Sequence, residues 1–279
     1  MPTTKQRRET ARRRLERQIQ RRQEAALKRR RRNLITAASL GVVVVLGGVF
    51  LLVTQLGEDN TTPAAQSTPT ASASATPARA PKSTSGPCKY AETTQSLANP
   101  HAKDVGLPPD PAKTPSTGTV PVGITTDRGA MTLTLDRSAA PCAVQSFLYL
   151  TEKKFFDNSP CPRVVDQGIF VLQCGDPSGT TGGGPTYSFK EENTAKAKYG
   201  PGVVAMANSG TPGSTSSQFF IIYKDSDKAL GKSYSVIGTI TKGLDVVTKV
   251  AAGGNDGSNQ AGGGKPKLPI TIKTVAVVK

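Results

Sequence analysis

The sequence has no tryptophan and a single histidine among its 279 residues. That histidine, His101, lies in a proline-rich stretch rather than in an apolar run. Ser-His-Asp and Cys-His catalysis both need an imidazole held in the folded core, so this shortage argues against hydrolases of those kinds. The motifs G-x-S-x-G and H-E-x-x-H are also missing from the sequence.

Cysteine is scarce as well. The four cysteines, at positions 88, 142, 161 and 174, include no C-x-x-C pair. Thiolate zinc sites usually show that spacing, so we expect no bound metal. We expect no cofactor either.

Acidic residues are few, and the charge is uneven. The chain has 36 Lys and Arg against 20 Asp and Glu, and residues 1–33 alone hold 14 Lys and Arg against three Glu. This basic tail has two interpretations: it binds nucleic acid or anionic lipid, or it sets the topology of the segment that follows. We favour the second, and we do not expect nucleic acid as a partner.

Residues 34–56 contain no charged side chain over 23 positions. About 20 apolar residues span a bilayer, and basic residues before such a run place the N-terminus in the cytoplasm. The run is longer than the core of a cleaved signal peptide, and it is followed by polar residues. We therefore predict an uncleaved single-pass anchor, with the rest of the chain outside the cytoplasmic membrane.

Two polar segments follow the predicted anchor. Residues 57–86 are rich in Thr, Ala, Ser and Pro, and they have too few large apolar residues to offset the entropy of ordering. We predict a disordered linker there. Residues 87–118 form a leading segment whose prolines argue against regular structure, although Cys88 and Tyr90 indicate that it is tied down.

From Thr119 the pattern changes to short alternating runs. The pattern over residues 119–135 predicts a β-hairpin. Pro141 suits the first position of a helix that ends near Lys153. Further strands are predicted from there to the end of the chain. About eight short strands and two helices predict a mainly β domain over residues 119–279. We expect a closed antiparallel barrel, in a monomer.

The stretch from Cys161 to Asp176 organises the domain. Two short apolar runs flank a turn at residues 166–168, which predicts a β-hairpin. One arm carries Arg163, and the other carries Gln173 close to Phe170. Such a set can bind an uncharged, partly apolar ligand, but a core hairpin with an exposed arginine accounts for the pattern equally well.

A glycine-rich loop, GDPSGTTGGGP, follows at residues 175–185. A phosphate cradle would need a following Gly-Lys-Ser/Thr and a helix, and both are missing. We interpret it as a loop that passes close to a bound chain.

Three blocks in order resemble the cyclophilin-type peptidyl-prolyl cis-trans isomerases. PRVVDQGIFVLQCGDPSGTTGGGPTY is similar to the family's F-H-R-V-I-x-x-F-M-x-Q-G-G-D-P-x-G-x-G-x-G-G; the other blocks are YGPGVVAMANSG and SSQFFI with YSVIGTITKGLDVV. The resemblance covers residues 119–279. With the anchor and linker, the chain resembles the membrane-tethered cyclophilins of actinobacteria.

The resemblance implies an eight-stranded barrel closed by two helices, with a proline-binding groove on its outer face. It implies that Arg163 is catalytic and that Gln173 supports it. The substrate-binding residues that it implies are Phe170, Val171, Ala207, Asn208, Gln218, Phe220, Leu230 and Tyr234. The expected activity is isomerisation of X-Pro bonds in proline-containing polypeptides, exported or unfolded.

The chain departs from the family pattern before the arginine, where Cys161-Pro162 replaces Phe-His. Val171 stands for the pocket methionine, Tyr234 for the pocket histidine, and the usual tryptophan is missing near Ala229. These changes leave a second hypothesis open, that of a proline-binding or chaperone module with little turnover.

Because disulfides persist in exported domains, the cysteines are expected to be paired. Cys161 and Cys174 bracket the hairpin and should face each other, which leaves Cys88 for Cys142.

Overall fold

The computed structural model describes residues 79–278. The predicted basic tail, the predicted anchor and most of the predicted linker lie outside these residues. Among residues 79–278, no helix combines the length and the apolarity needed to cross a membrane.

One antiparallel sheet of nine strands dominates the described part of the chain. Four more strands form two small two-stranded sheets. In chain order the strands are β1 Ala91–Glu92, β2 Ala102–Lys103, β3 Thr119–Thr126, β4 Gly129–Asp136, β5 Ser159–Pro160, β6 Arg163–Val165, β7 Val171–Cys174, β8 Gly184–Pro185, β9 Tyr187–Ser188, β10 Val203–Met206, β11 Phe219–Ile222, β12 Val236–Lys242 and β13 Thr271–Val277. The mainly β class is therefore as predicted.

Within residues 79–278 the helices are few and short. They are α1 Thr94–Ala98, α2 Pro141–Glu152, α3 Asp227–Leu230 and α4 Leu244–Ala252, with a 3-10 turn at Thr194–Lys196. Helix α2 begins at the predicted Pro141, whose ring suits the first helical position. Val144, Phe147 and Leu150 lie on its buried face, three residues apart, and they pack into the main hydrophobic core.

The large sheet runs in the order β5-β13-β3-β4-β12-β10-β11-β7-β6. This differs from the eight strands predicted, because a short strand, β5, precedes the hairpin and pairs with β13. Strands β5 and β6 are separated only by Cys161 and Pro162. Pro160 and Pro162 have no N–H to donate, which limits backbone pairing there.

The predicted hairpin at residues 161–176 is present. Strands β6 and β7 are antiparallel, and Arg163 lies directly opposite Gln173. The next strand, β11, pairs with β7 and places Phe220 opposite Gln173. A second, smaller apolar cluster covers this end of the sheet; it contains Val165, Val171, Ala197, Tyr199, Ala205, Phe220 and Ile222.

The leading segment is more regular than predicted. Strand β1 pairs with β9, strand β2 pairs with β8, and helix α1 lies between them in the chain. The predicted linker also ends earlier than expected, because Ser83 bridges to Ala91 and the Thr84 N–H donates to the Tyr90 carbonyl at 2.9 Å. Backbone pairing with distant strands offsets the prolines that argued against structure here.

Two disulfides tie these parts together. Cys88 is bonded to Cys142 and Cys161 to Cys174, which is the pairing predicted from the sequence. The first joins the leading segment to the start of α2. The Tyr90 hydroxyl reinforces it by donating to the Cys142 carbonyl at 2.7 Å.

Candidate functional site

Arg163 stands at the start of β6 with its guanidinium held by three acceptors. Its Nη1 donates to the Gln173 Oε1 at 3.0 Å, its Nε to the Gly262 carbonyl at 2.9 Å, and its Nη2 to the Ala261 carbonyl at 3.0 Å. A guanidinium has five N–H groups, so two remain without a partner among residues 79–278. Partial burial lowers the pKa of Arg163, but an arginine starts so high that it stays charged at any working pH.

The two carbonyls come from the glycine-rich loop at residues 253–264. The loop backbone pairs with β6 through Val164 and Gly264, with N–H to O distances of 2.9 and 3.1 Å. Gly263 has a φ of +70°, and a Cβ there would lie 2.2 Å from the Val164 carbonyl oxygen. Only glycine allows this approach. The loop therefore orients the arginine, which sequence reasoning missed.

Gln173 connects Arg163 to a second glutamine, Gln218, through hydrogen bonds. Its Nε2 donates to the Gln218 Oε1 at 2.7 Å, and the Gln218 Nε2 donates to the carbonyls of Thr181 and Gly183 at 3.0 and 2.8 Å. Each amide oxygen thus accepts and each amide nitrogen donates, so the chain of bonds has a single direction. It leaves the Gln173 carboxamide little freedom to turn away from Arg163.

A small cavity of about 90 Å³ opens beside the arginine. Seven of the residues implied by the resemblance line it together with Arg163. They are Val171, Gln173, Ala207, Asn208, Phe220, Leu230 and Tyr234. The lining contains no carboxylate and no imidazole, so Arg163 is its one charged side chain.

Two of the implied residues lie elsewhere. Gln218 lines a larger neighbouring cavity. Phe170 lines neither: its ring lies 6.0 Å from that of Tyr223 and 4.7 Å from the Lys224 amine, while Ile169 occupies the cavity wall. Side chains alternate along β7, so Val171 and Gln173 share the face that lines the cavity.

Tyr199 is a residue that the sequence analysis did not identify. Its side chain is fully buried behind the cavity, and its hydroxyl donates to the Tyr234 carbonyl at 3.0 Å while accepting from the Tyr234 N–H at 3.1 Å. Burial raises the pKa of Tyr199, so the hydroxyl keeps its proton. The Tyr234 ring in turn meets Phe220 edge to face, with centroids 5.2 Å apart. Tyr199 therefore positions one wall of the cavity.

This arrangement suits a small apolar ring next to an amide. Phe220, Val171 and Leu230 give the cavity apolar surface, and Arg163, with two N–H groups unused, lines the same cavity. A donor placed there binds an amide nitrogen only when that nitrogen has a free lone pair. The site has nothing that would abstract a proton or attack a carbonyl.

A sequence model of the family "Cyclophilin type peptidyl-prolyl cis-trans isomerase/CLD" matches residues 121–277. The chain belongs to the cyclophilin family. The family match includes Arg163, Gln173 and every residue of the small cavity, and it excludes the leading segment.

Relatives within the cyclophilin family agree with this match. The chain is 39% identical over 186 residues to "Probable peptidyl-prolyl cis-trans isomerase B" of Mycobacterium tuberculosis, a match that covers 59% of each protein. The protein of the same name from Mycobacterium leprae is 36% identical over 203 residues, covering 67% of this chain. The chain spans 59% and 65% of the length of these two relatives.

A solved cyclophilin-type isomerase from Cryptosporidium parvum has the same fold as the matched region. It superposes with a TM-score of 0.51 at 27% identity, covering 58% of this chain and 99% of its own. The fold of the matched region is therefore that of a cyclophilin domain.

Proposed function

We propose that residues 119–279 catalyse cis-trans isomerisation of X-Pro peptide bonds in polypeptides. The observation that carries this proposal is Arg163, held by three acceptors with two N–H groups unused beside a small apolar cavity. Relatives named as peptidyl-prolyl cis-trans isomerases support the same activity. The comparison of Arg163 and Gln173 variants set out in the Discussion tests it.

The chemistry requires that a twisted amide be bound better than a planar one. Rotation about an X-Pro bond has a barrier of about 18–20 kcal/mol because resonance stiffens the C–N bond. In the twisted state the proline nitrogen regains its lone pair and accepts a hydrogen bond. An Arg163 N–H directed at that nitrogen stabilises only this state, which is differential binding. No covalent bond is broken, so no cofactor or metal is required.

The substrate backbone would pass Ala207 and Asn208. The Ala207 N–H donates to the Gln218 carbonyl at 2.8 Å. The Asn208 side chain donates to the Ser233 carbonyl and accepts from the Gly210 N–H. No partner within residues 79–278 takes the N–H or carbonyl of the Asn208 backbone. An extended peptide can use both groups while its proline occupies the cavity.

Proline-containing polypeptides are the substrates that we propose. A Cryptosporidium parvum cyclophilin-type isomerase that is 28% identical to this chain, with a TM-score of 0.51, was solved in the presence of the dipeptide Ala-Pro. The apolar side chains of Val171, Phe220 and Leu230 in the cavity lining agree with a ligand of that kind. We propose that the domain acts as a monomer.

A proline-binding or chaperone module with little turnover is the second candidate. It is favoured by the narrow cavity and by Tyr234, whose ring packs on Phe220 where the family has a histidine. An isomerisation rate that does not exceed that of Arg163→Ala, together with measurable peptide binding, would decide for this alternative.

We propose that the sheet closes into a barrel at the segment that carries Arg163. Strands β5 and β6 stand at opposite ends of the strand order, yet only two residues separate them in the chain. The Cys161 N–H donates to the Ile270 carbonyl at 3.0 Å, and Val164 bridges to Gly264. Closure at this point would hold Arg163 between both edges of the sheet.

We propose that the chain is a membrane-anchored cyclophilin of the actinobacterial kind, with its domain outside the cytoplasmic membrane. The support is the charge-free run at 34–56, the basic residues before it and the two mycobacterial relatives. Protease added to intact spheroplasts is expected to remove the domain and spare the tail. Loss of the tail with a protected domain would contradict this topology.

Tyr199→Phe is expected to lower kcat/KM several-fold, chiefly by raising KM. The substitution removes only the hydroxyl, which donates to and accepts from the Tyr234 backbone. Tyr234 then loses its support at the cavity wall, while Arg163 keeps all its acceptors. Steady-state kinetics with a proline peptide measure the split.

The matched control for this prediction is Tyr223→Phe. The Tyr223 hydroxyl also donates to a backbone carbonyl, that of Val165 at 2.8 Å, but its ring is outside the cavity lining. An equal rise in KM for both variants would show that general loosening, rather than Tyr234, is responsible.

A further inference from the structure

A second cavity of about 680 Å³ adjoins the one beside Arg163. The two cavities share Gln173, Ala207 and Asn208 in their walls. A peptide whose proline occupies the small cavity and whose backbone follows Asn208 therefore brings a neighbouring side chain to the larger one. This inference rests on the proposed function, because it concerns the substrate of the same site.

One wall of the larger cavity comes from the leading segment. Thr93, Gln95, Ser96, Ala98 and Asn99 line it, and all five precede the region that matches the cyclophilin family. This wall is thus an addition of this chain to the matched domain.

The wall is fixed to the domain by direct hydrogen bonds. The Ser96 hydroxyl donates to the Thr186 carbonyl at 2.5 Å, and the Asn99 Nδ2 donates to the Gly182 carbonyl at 2.9 Å. On either side of it, β1 and β2 pair with β9 and β8. The wall is therefore part of the cavity rather than a loop that swings over it.

The glycine-rich loop at residues 175–185 passes close to the leading segment. A Cβ on Gly183 would lie 2.8 Å from the His101 carbonyl and 2.2 Å from the Asp176 carboxylate. The loop was interpreted from the sequence as passing close to a bound chain, and in the structure it passes close to the leading segment. The same loop accepts the hydrogen bonds of Gln218, so the wall connects through Gln218 and Gln173 to Arg163.

The lining of the larger cavity is polar but carries no charge. Hydroxyls, carboxamides and glycine backbone make up most of it, and it includes no Asp, Glu, Lys, Arg or His. Gln95 is exposed and has no hydrogen-bond partner among residues 79–278. A charged substrate side chain would lose water there without meeting an opposite charge, whereas a hydroxyl or carboxamide would find partners.

We propose that the leading segment makes the larger cavity a subsite for an uncharged polar side chain of the substrate, close to the proline, with Gln95 as a specificity-determining residue. Serine, threonine, asparagine and glutamine are the side chains of this class. The leading segment thereby selects among X-Pro sites by the residue that lies near the proline.

The test uses the full-length chain and a set of proline peptides in an alanine background. Asn, Asp or Lys is placed in turn at each position within three residues of the proline, and kcat/KM is measured for each peptide. The wild-type protein is expected to prefer Asn over both charged residues at one position. At that position Gln95→Lys should shift the Asp-to-Lys ratio roughly two- to fivefold toward Asp, and Gln95→Glu should shift it equally toward Lys.

Thr94→Lys and Thr94→Glu are the matched controls. Thr94 is exposed on the same short helix but does not line the cavity, so the ratio should stay at its wild-type value. The shift caused by the Gln95 variants should also shrink in high salt, because the charges are partly exposed. Equal ratios for Gln95 and Thr94 variants at every position would overturn the subsite.

Failure of the proposed function gives a different pattern. If the wild-type protein does not isomerise even the all-alanine peptide, the activity is wrong, and the same peptides then serve in equilibrium binding. Charge-dependent affinity that follows the residue at position 95 would still support the subsite. Peptide affinity that does not change with the residue at position 95 would overturn the subsite independently of turnover.

Discussion

Arg163→Ala is expected to lower kcat/KM about a hundredfold or more while the domain stays folded. The arginine supplies the only cationic donor in the cavity lining, and it acts on the twisted amide rather than on the planar one. Removal of one preorganised donor typically lowers the rate by that factor. A protease-coupled isomerisation assay measures the rate.

The stability change should be small. Arg163 is only half-buried, and its acceptors, the carbonyls of Ala261 and Gly262 and the Gln173 amide, lie where water can replace it. We expect a change in the free energy of unfolding within about 1 kcal/mol. Denaturant titration followed by circular dichroism measures it.

Two further variants test whether the loss of activity is specific to the role of Arg163 in the cavity. Gln173→Ala should lose less activity, because the two loop carbonyls still hold the guanidinium. Arg128→Ala is the matched control, since Arg128 also donates to a carbonyl, that of Pro269 at 2.8 Å, but lies outside the cavity. Near-normal turnover by a folded Arg163→Ala protein would mean that the arginine mechanism does not apply to this chain.

Removal of the Cys88–Cys142 disulfide is expected to lower the free energy of unfolding by roughly 4 kcal/mol in the chain-entropy model. The bond closes a loop of 54 residues, and it holds the leading segment to the start of α2. The Cys88→Ala/Cys142→Ala variant tests this by denaturant titration. Its turnover of an all-alanine peptide should fall little, because neither cysteine lines the small cavity.

Removal of the Cys161–Cys174 disulfide is expected to lower stability less, and activity more, than removal of the Cys88–Cys142 disulfide. Its loop is 13 residues, which predicts a smaller loss of roughly 3 kcal/mol. However, Cys161 is two residues from Arg163, and Cys174 adjoins Gln173 on the paired strand. We expect the Cys161→Ala/Cys174→Ala variant to lose several-fold in kcat/KM under conditions where it is fully folded. Equal activity in the two double variants would show that this disulfide has no part in aligning the pair.

Short-range features of the site could be read from the sequence. The hairpin turn at residues 166–168 sets the register that places Arg163 opposite Gln173, because strand pairing across a short turn depends on local residues. The start of α2 at Pro141 follows for the same reason. Phe170 was assigned to the binding site from its position near Gln173 and from the resemblance, but the cavity lining includes Ile169 and not Phe170.

The sequence by itself determined a mainly β domain, its hairpin and the facing of Cys161 and Cys174 across that hairpin, since these depend on composition and neighbouring residues. Only the tertiary structure decided how Arg163 is held, because the carbonyls of Ala261 and Gly262 come from 98 and 99 positions further along the chain. It also decided that Tyr199 supports Tyr234, and that the leading segment forms a cavity wall beside Gln173. A backbone carbonyl carries no sequence signature, so a contact made through one becomes visible only when the fold brings its segment to the site.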